Sequence, residues 1–244
     1  MLSRDARKEW MTILAAGLLL AVSAAVVGSW WALAAVVLVT AGLVAFFRDP
    51  ERHVPTQRGV MVAPADGRVS SIHELDHFEP FEGPATCVRI FLSVLDVHIN
   101  RSPCHGEVLS VTHKPGSHIN ALNHESAEQN ESNLIVLVHP IRRQPVAAIR
   151  QIAGMLARTV TCTVRPEQVV QRGQRIGIIK LGSTTELYIP AQMKPRIVVQ
   201  RGQRVAAGTT VLAHVTGRED EGPQNSSLGN QATKNESVAQ VTAK

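Results

Sequence analysis

The chain has 244 residues, 44% of them hydrophobic, enough for one compact domain and an appendage. Its formal net charge of +5 suits an anionic surface, but aromatic residues make up only 4% and no Lys/Arg cluster is interleaved with Phe or Tyr, which argues against a platform for single-stranded nucleic acid. The three cysteines, Cys87, Cys104 and Cys162, form no CxxC pair and the ten histidines no HExxH, so neither a zinc site nor a disulfide framework is expected, and a reducing, cytoplasmic setting is the default.

Residues 1–10 read as a short cytoplasmic N-terminus. From Met11 to Phe47 there is no Asp, Glu, Lys, Arg or His. As a single helix that run would extend about 55 Å, well beyond a hydrocarbon layer about 30 Å thick. Gly28-Ser29 lies near its middle, followed by Trp30-Trp31, a pair suited to the headgroup zone. The pattern predicts two helices, 11–27 and 31–47, forming a membrane hairpin. Arg4, Arg7 and Lys8 precede the run and Arg48, Arg52 and Arg58 follow it, so the positive-inside tendency places both ends in the cytoplasm. A re-entrant hairpin is the rival; a cleaved signal peptide is disfavoured by the length of the run and the lack of a clean small-residue cleavage site.

After Pro50 the pattern changes to short runs rich in Val, Ile and Thr, bounded by Gly and Pro. Strands are predicted over 59–63, 67–72, 86–93, 106–112, 133–138 and 145–152. Residues 117–130 are polar and read as an excursion from the sheet. Val170-Gln171-Arg172-Gly173-Gln174-Arg175 is nearly repeated as Val199-Gln200-Arg201-Gly202-Gln203-Arg204, each copy a turn centred on Arg-Gly between strands. Residues 217–244, rich in Gln, Asn, Ser and Gly, read as a disordered tail. The fold class is mainly β (α+β): a helical hairpin at 11–47, then a β-rich catalytic domain over 48–216.

Between the two turn copies lies Leu181-Gly182-Ser183-Thr184. Glycine has no Cβ to shield its carbonyl, so the hydroxyl of Ser183 can reach the carbonyl carbon of Gly182. A free serine hydroxyl is a poor nucleophile and needs a base. His98 is the candidate base, because an imidazole titrates near neutrality, and Asp66 is the candidate carboxylate to orient it. The ordinary readings are a strand bend at Gly182, a turn pair at Asp66-Gly67 and a half-buried structural His98.

Four segments stand together: Phe46-Phe47-Arg48-Asp49-Pro50-Glu51-Arg52, Ala63-Pro64-Ala65-Asp66-Gly67-Arg68-Val69, Leu95-Asp96-Val97-His98-Ile99-Asn100-Arg101, and the Gly182-Ser183 bond. From about Phe46 to Ala213 the chain resembles phosphatidylserine decarboxylase proenzymes, specifically the short bacterial and archaeal branch. Gln151-Ile152-Ala153-Gly154-Met155-Leu156-Ala157-Arg158 and Gly208-Thr209-Thr210-Val211-Leu212-Ala213 agree with that branch, whereas Leu181-Gly182-Ser183-Thr184 follows the longer one. The resemblance implies that Asp66, His98 and Ser183 drive self-cleavage between residues 182 and 183. It would leave a β chain, 1–182, and an α chain, 183–244, whose first residue becomes a pyruvoyl group. That covalent cofactor would form a Schiff base with the amine of phosphatidylserine and act as electron sink for release of carbon dioxide, leaving phosphatidylethanolamine. His98 would then also serve as proton donor in turnover. The implied partners are the lipid substrate and the cell membrane, with the catalytic domain facing the cytoplasm, no metal and no nucleic acid; the resemblance leaves room for a homo-oligomer. The longer branch carries a further histidine where this chain has Leu95, for which His113 is a candidate substitute, and Ser132 stands where an arginine is usual.

A competing reading is a biotinyl/lipoyl-like carrier or membrane adaptor. Met193-Lys194-Pro195 resembles a modified-lysine turn, with Pro195 in place of the expected second methionine. A carrier would remain one chain with a lysine adduct.

Overall fold

The computed structural model describes residues 2–3, 6–116, 129–154, 160–179 and 183–216. The polar excursion at 117–128, Lys180 to Gly182 and the expected tail at 217–244 lie outside the described residues.

Two helices come first: α1 (Arg7–Val26) and α2 (Trp30–Phe46), reversing at Gly28, whose φ of +73° suits a residue without Cβ. The first helix starts earlier than expected because Arg7, Lys8 and Glu9 continue the helical turn. Where the helices pack, Gly17 lets Thr40 approach so closely that a Cβ would lie 2.5 Å from its Oγ1. The first helix is long and apolar enough to cross a membrane; the second is apolar and 17 residues long. Leu18, Leu19, Trp30, Trp31 and Leu38 point outward and are exposed, an apolar surface too large for an ordinary water-facing helix pair.

Fourteen strands follow among the described residues: β1 (Val60–Val62), β2 (Gly67–Phe78), β3 (Gly83–Leu92), β4 (Ile99–Arg101), β5 (Gly106–Lys114), β6 (Ser132–Val138), β7 (Pro145–Ile152), β8 (Val160–Cys162), β9 (Val169–Val170), β10 (Arg175–Ile179), β11 (Ser183–Pro190), β12 (Arg196–Ile197), β13 (Arg204–Val205) and β14 (Val211–His214). All six strands expected from periodicity are present. An eight-stranded antiparallel sheet has the order β13-β2-β3-β11-β7-β6-β5-β9, and two three-stranded sheets run β1-β14-β12 and β4-β10-β8. The strand beginning at Ser183 is interior to the large sheet, paired with β3 on one side and β7 on the other.

The inner face of the large sheet carries Val88, Ile90, Leu92, Ile135, Leu137, Ile149 and Leu187, packed with Met61, Leu212 and Ala213 of the β1-β14-β12 sheet. Each of the Val, Ile, Leu and Met side chains contributes roughly 1.5–3 kcal/mol by leaving water. The repeated phrase forms the same turn twice. Gln174 N–H donates to Gln171 O and Gln203 N–H to Gln200 O, while each second glutamine's Oε1 accepts from the first one's N–H. Gly173 and Gly202 occupy the third position with φ of +75° and +86°, the conformation a type II turn demands there.

Candidate active site

Ser183 opens β11, fully buried, and its Oγ has no hydrogen-bond partner among the described residues. Gly182, the other half of the expected scissile bond, lies outside them. Strand alternation puts Ser183, Thr185 and Leu187 on the inner face of the large sheet.

His98 precedes β4 and is buried beside the end of α2, with its ring 4.5 Å from that of Phe46. Phe46 and Phe47 also pack with Val97, Ile99 and Ile178, so the base of the helical hairpin is seated on the segment that carries His98. The route from His98 to Ser183 is short. Ile179 N–H donates to His98 O at 3.1 Å, and Ser183 follows four residues later, a reach of at most about 14 Å. A second tie lies two residues beyond each: Asn100 Nδ2 donates to Thr185 Oγ1 at 3.0 Å, with both residues buried. The fold thus brings the His98 strand and the Ser183 strand together.

The orientation of the imidazole follows from its neighbour. His98 Nδ1 lies 2.8 Å from the carbonyl oxygen of Asp96. That oxygen can only accept, so Nδ1 carries the proton of the neutral ring and Nε2 is the basic nitrogen. Burial pushes the His98 pKa down from 6.5 to about 4; the Asp96 hydrogen bond and carboxylate oppose this, and Arg48 adds to it. The ring is therefore a neutral base at pH 7.

A pH dependence follows. Between pH 6.5 and about 4 the unfolded chain binds a proton at this position that the folded chain refuses. The contribution of His98 to stability is complete above pH 6.5 and is lost as the pH falls to about 4, a change of about 3 kcal/mol. Thermal unfolding of Ser183→Ala and Ser183→Ala/His98→Phe, which share one covalent state, compared at pH 7.5, 5.5 and 4.5, is expected to show the chain with His98 losing ground progressively in acid. A constant difference across that range would contradict the assignment.

Asp66 is placed differently from the direct hydrogen bond to His98 that the sequence suggested. Its carboxylate accepts from Arg52 at 3.0 and 2.7 Å and from the backbone N–H of Ala207 at 2.7 Å. Its own segment pairs with the His98 strand, because Pro64 O accepts from the N–H of Arg101 at 2.9 Å. Gly67, with φ of +149°, passes so close to β3 that a Cβ would lie 2.1 Å from Phe91 O. The Asp66-Gly67 pair thus fixes a backbone crossing beside the site, and the carbonyl of Asp96 performs the ring-orienting hydrogen bond.

Several participants carry no role in the sequence reading. Asp49, buried, pairs with Arg101 at 2.8 Å and with Arg175, and Arg101 also donates to Gly173 O at 2.9 Å. The segment after α2 is thereby clamped to β4 and to the first repeated turn. Arg48, which the sequence offered only as a basic flank of the apolar run, donates to the carbonyl of Leu95. Gln151 and Asn100 form a buried amide pair, with Gln151 Nε2 donating to Asn100 Oδ1 at 2.7 Å. The signal for these was present as polar residues inside otherwise apolar runs, but periodicity does not say which partners they meet. His113, the candidate substitute for the histidine absent at Leu95, is half exposed, with Nδ1 2.8 Å from Asn133 Oδ1 and Nε2 3.9 Å from Glu131. Arg150 reaches Ser132 Oγ at 3.4 Å. Among the described residues no group of three His, Cys, Asp or Glu could hold a metal ion.

Comparison with known proteins adds the family. A family model described as phosphatidylserine decarboxylase matches residues 39–213. The chain is 44% identical to a phosphatidylserine decarboxylase proenzyme of Rhodopirellula baltica over 185 residues, 75% of this chain and 76% of that one. It is 35% identical to the proenzyme of Carboxydothermus hydrogenoformans over 211 residues, 86% of this chain and 96% of the relative. A third proenzyme, from Syntrophus aciditrophicus, is 43% identical over 147 residues, 60% of this chain and 68% of that one.

Proposed function

The chain belongs to the phosphatidylserine decarboxylase family, and from that premise we propose that it matures by cutting itself at Gly182-Ser183 and then decarboxylates phosphatidylserine to phosphatidylethanolamine. The observation that carries the self-cleavage is the hydroxyl of Ser183, buried without a hydrogen-bond partner among the described residues, on a strand tied to that of a neutral histidine. Native proteins leave few buried polar atoms unpaired, and an unpaired one at a reactive position points to chemistry. The matched family region spans both the Asp66 segment and the Met193-Lys194-Pro195 turn on which a carrier reading rested.

In this reading Nε2 of His98 takes the Oγ proton while Oγ attacks the carbonyl carbon of Gly182, turning the amide into an ester. Loss of the Ser183 α-proton then expels the Gly182 carboxylate. Hydrolysis of the resulting dehydroalanine releases ammonia and leaves a pyruvoyl group at position 183. That group, when formed, supplies an electron sink for decarboxylation. His98 is positioned to hold or return a proton at the reacting carbon, with Asp96 O fixing its Nδ1–H. Asp66 orients His98 at one remove, by holding the 63–67 segment against β4. The residues around Ser183 fit such a group, since an unpaired buried atom already stands where it would form.

The substrate is a lipid, and the hairpin gives it a route. Phe46 ends the second apolar helix and touches His98, so a headgroup at the bilayer surface lies beside the reacting residues. We assign α1 and α2 to the cell membrane, with basic residues at both ends holding the catalytic domain on the cytoplasmic side.

Intact-mass measurement of the purified wild type, with carbon dioxide release from carboxyl-labelled phosphatidylserine, tests this. Two chains divided at 182/183, the second lacking a free amino terminus, are expected together with labelled gas. A continuous chain that still released the label would overturn the self-cleavage reading.

A further inference from the structure

One lateral row on the inner face of the large sheet is polar where its neighbours are apolar. His113 on β5 pairs with Asn133 on β6, Asn133 with Gln151 on β7, and Gln151 with Thr185 on β11. Gln151 is fully buried. Pro64 settles which way the amides face. Its carbonyl oxygen can only accept, so Asn100 turns Nδ2 toward Pro64 O (3.4 Å) and Thr185 Oγ1 (3.0 Å), which leaves Asn100 Oδ1 facing Gln151. Gln151 must answer with Nε2, as it does at 2.7 Å. Its Oε1 is left over, buried and without a donor among the described residues.

That atom is near the reacting position. Thr184 pairs with Ile152 and Thr185 with Gln151, which makes Ser183 and Gln151 diagonal neighbours on adjacent strands, about 7–8 Å apart and within reach of a long side chain. Gly177 on β10 makes room, because a Cβ there would lie 2.7 Å from Gln151 Nε2 and 3.3 Å from Oε1. Two unpaired buried polar atoms, one hydroxyl and one carbonyl oxygen, thus sit on neighbouring strands of one face. An acceptor locked in place by its own amide nitrogen awaits an N–H or O–H donor.

We propose that Gln151 Oε1 accepts from the amino nitrogen of the lipid headgroup, making Gln151 a specificity-determining residue held in place by Asn100. The inference rests on the decarboxylase reading, in which the headgroup amine must come to position 183. That amine carries N–H donors for Gln151 Oε1, which none among the described residues supplies, whereas an alcohol-derived headgroup ending in a methyl group carries none.

The test uses the full chain in mixed micelles, with Gln151→Leu and Gln151→Glu. Cleavage is read by intact mass. Capture of labelled phosphatidylethanolamine and labelled phosphatidylpropanol by immobilised enzyme is read separately from turnover. Gln151→Leu is expected to cleave, to bind phosphatidylethanolamine about tenfold more weakly than the wild type, the scale of one lost hydrogen bond, and to bind phosphatidylpropanol unchanged. Its KM for phosphatidylserine should rise more than its kcat falls. Gln151→Glu keeps an acceptor and, with its carboxyl proton donated to Asn100 Oδ1 in place of the amide N–H, should keep the preference for the amine. Equal effects on both lipids, no effect on either, or failure of both variants to cleave would overturn the proposal, the last by assigning Gln151 to maturation. Failure of the decarboxylase reading itself shows in the wild type alone, as an unsplit or inert chain, and this inference falls with it.

Discussion

Ser183→Ala is expected to give one unbroken chain, no measurable phosphatidylserine decarboxylation, and a fold slightly more stable than that of the uncut precursor. The first two results follow from removing the only atom that can attack Gly182 in this scheme. Loss of a covalent nucleophile costs on the order of 10⁴-fold or more, because no neighbouring group takes over bond formation. The third result comes from the structure. Ser183 Oγ is buried without a partner among the described residues, so deleting it removes a desolvated hydroxyl and breaks no hydrogen bond given to it. A gain of about 1 kcal/mol is expected, roughly 2–4 °C in melting temperature for a domain of this size. Intact mass and carbon dioxide release check the first two, and thermal unfolding of His98→Phe with and without Ser183→Ala, both seen to be uncut by intact mass, checks the third. A double variant clearly less stable than uncut His98→Phe would mean that the hydroxyl has a structural partner.

His98→Phe is the second large effect. The substitution keeps an aromatic ring against Phe46 and within the group formed by Val97, Ile99 and Ile178, while removing the nitrogen that accepts the proton. General-base catalysis by a positioned side chain contributes roughly 10²–10⁴-fold, and maturation is expected to slow by that factor. The fraction cleaved after synthesis, followed over hours by denaturing gel, measures it directly. In a Ser183→Ala background, where both chains stay uncut, stability at neutral pH should change little, since the imidazole is already uncharged there. Cleavage at the wild-type rate would remove His98 from the chemistry and leave it as packing beneath the hairpin.

The sequence made the architecture legible where periodicity is long. The hairpin and six of the runs rich in Val, Ile and Thr were visible because Gly or Pro marks their boundaries, although the first of the six forms only the three-residue β1 and the eight-residue β11 was not among them. Strands β4, β8, β9, β12 and β13 have two or three residues each, too few to display a period. Their existence depends on neighbours distant in sequence, as when Ile99 of β4 pairs with Ile178 of β10. In the site, residue types at Ser183 and His98 suggested the chemistry, but hydrogen-bond partners did not follow from type. Asp66 illustrates this: a carboxylate next to a candidate histidine in the argument binds Arg52 and a backbone amide in the fold. The buried pairing of Asn100 with Gln151 needed the register of four strands before it could be seen.

The interior place of β11 has a consequence for the cut chain. Severing the backbone just before Ser183 leaves that strand laced to β3 along Ser183–Pro190 and to β7 along Thr184–Tyr188. The short fragment cannot drift away without tearing open the widest layer of the molecule, so the halves should co-migrate in any non-denaturing separation. The new chain end at position 183 would inherit the rigidity of a central rib, held at both flanks once the bond behind it had gone.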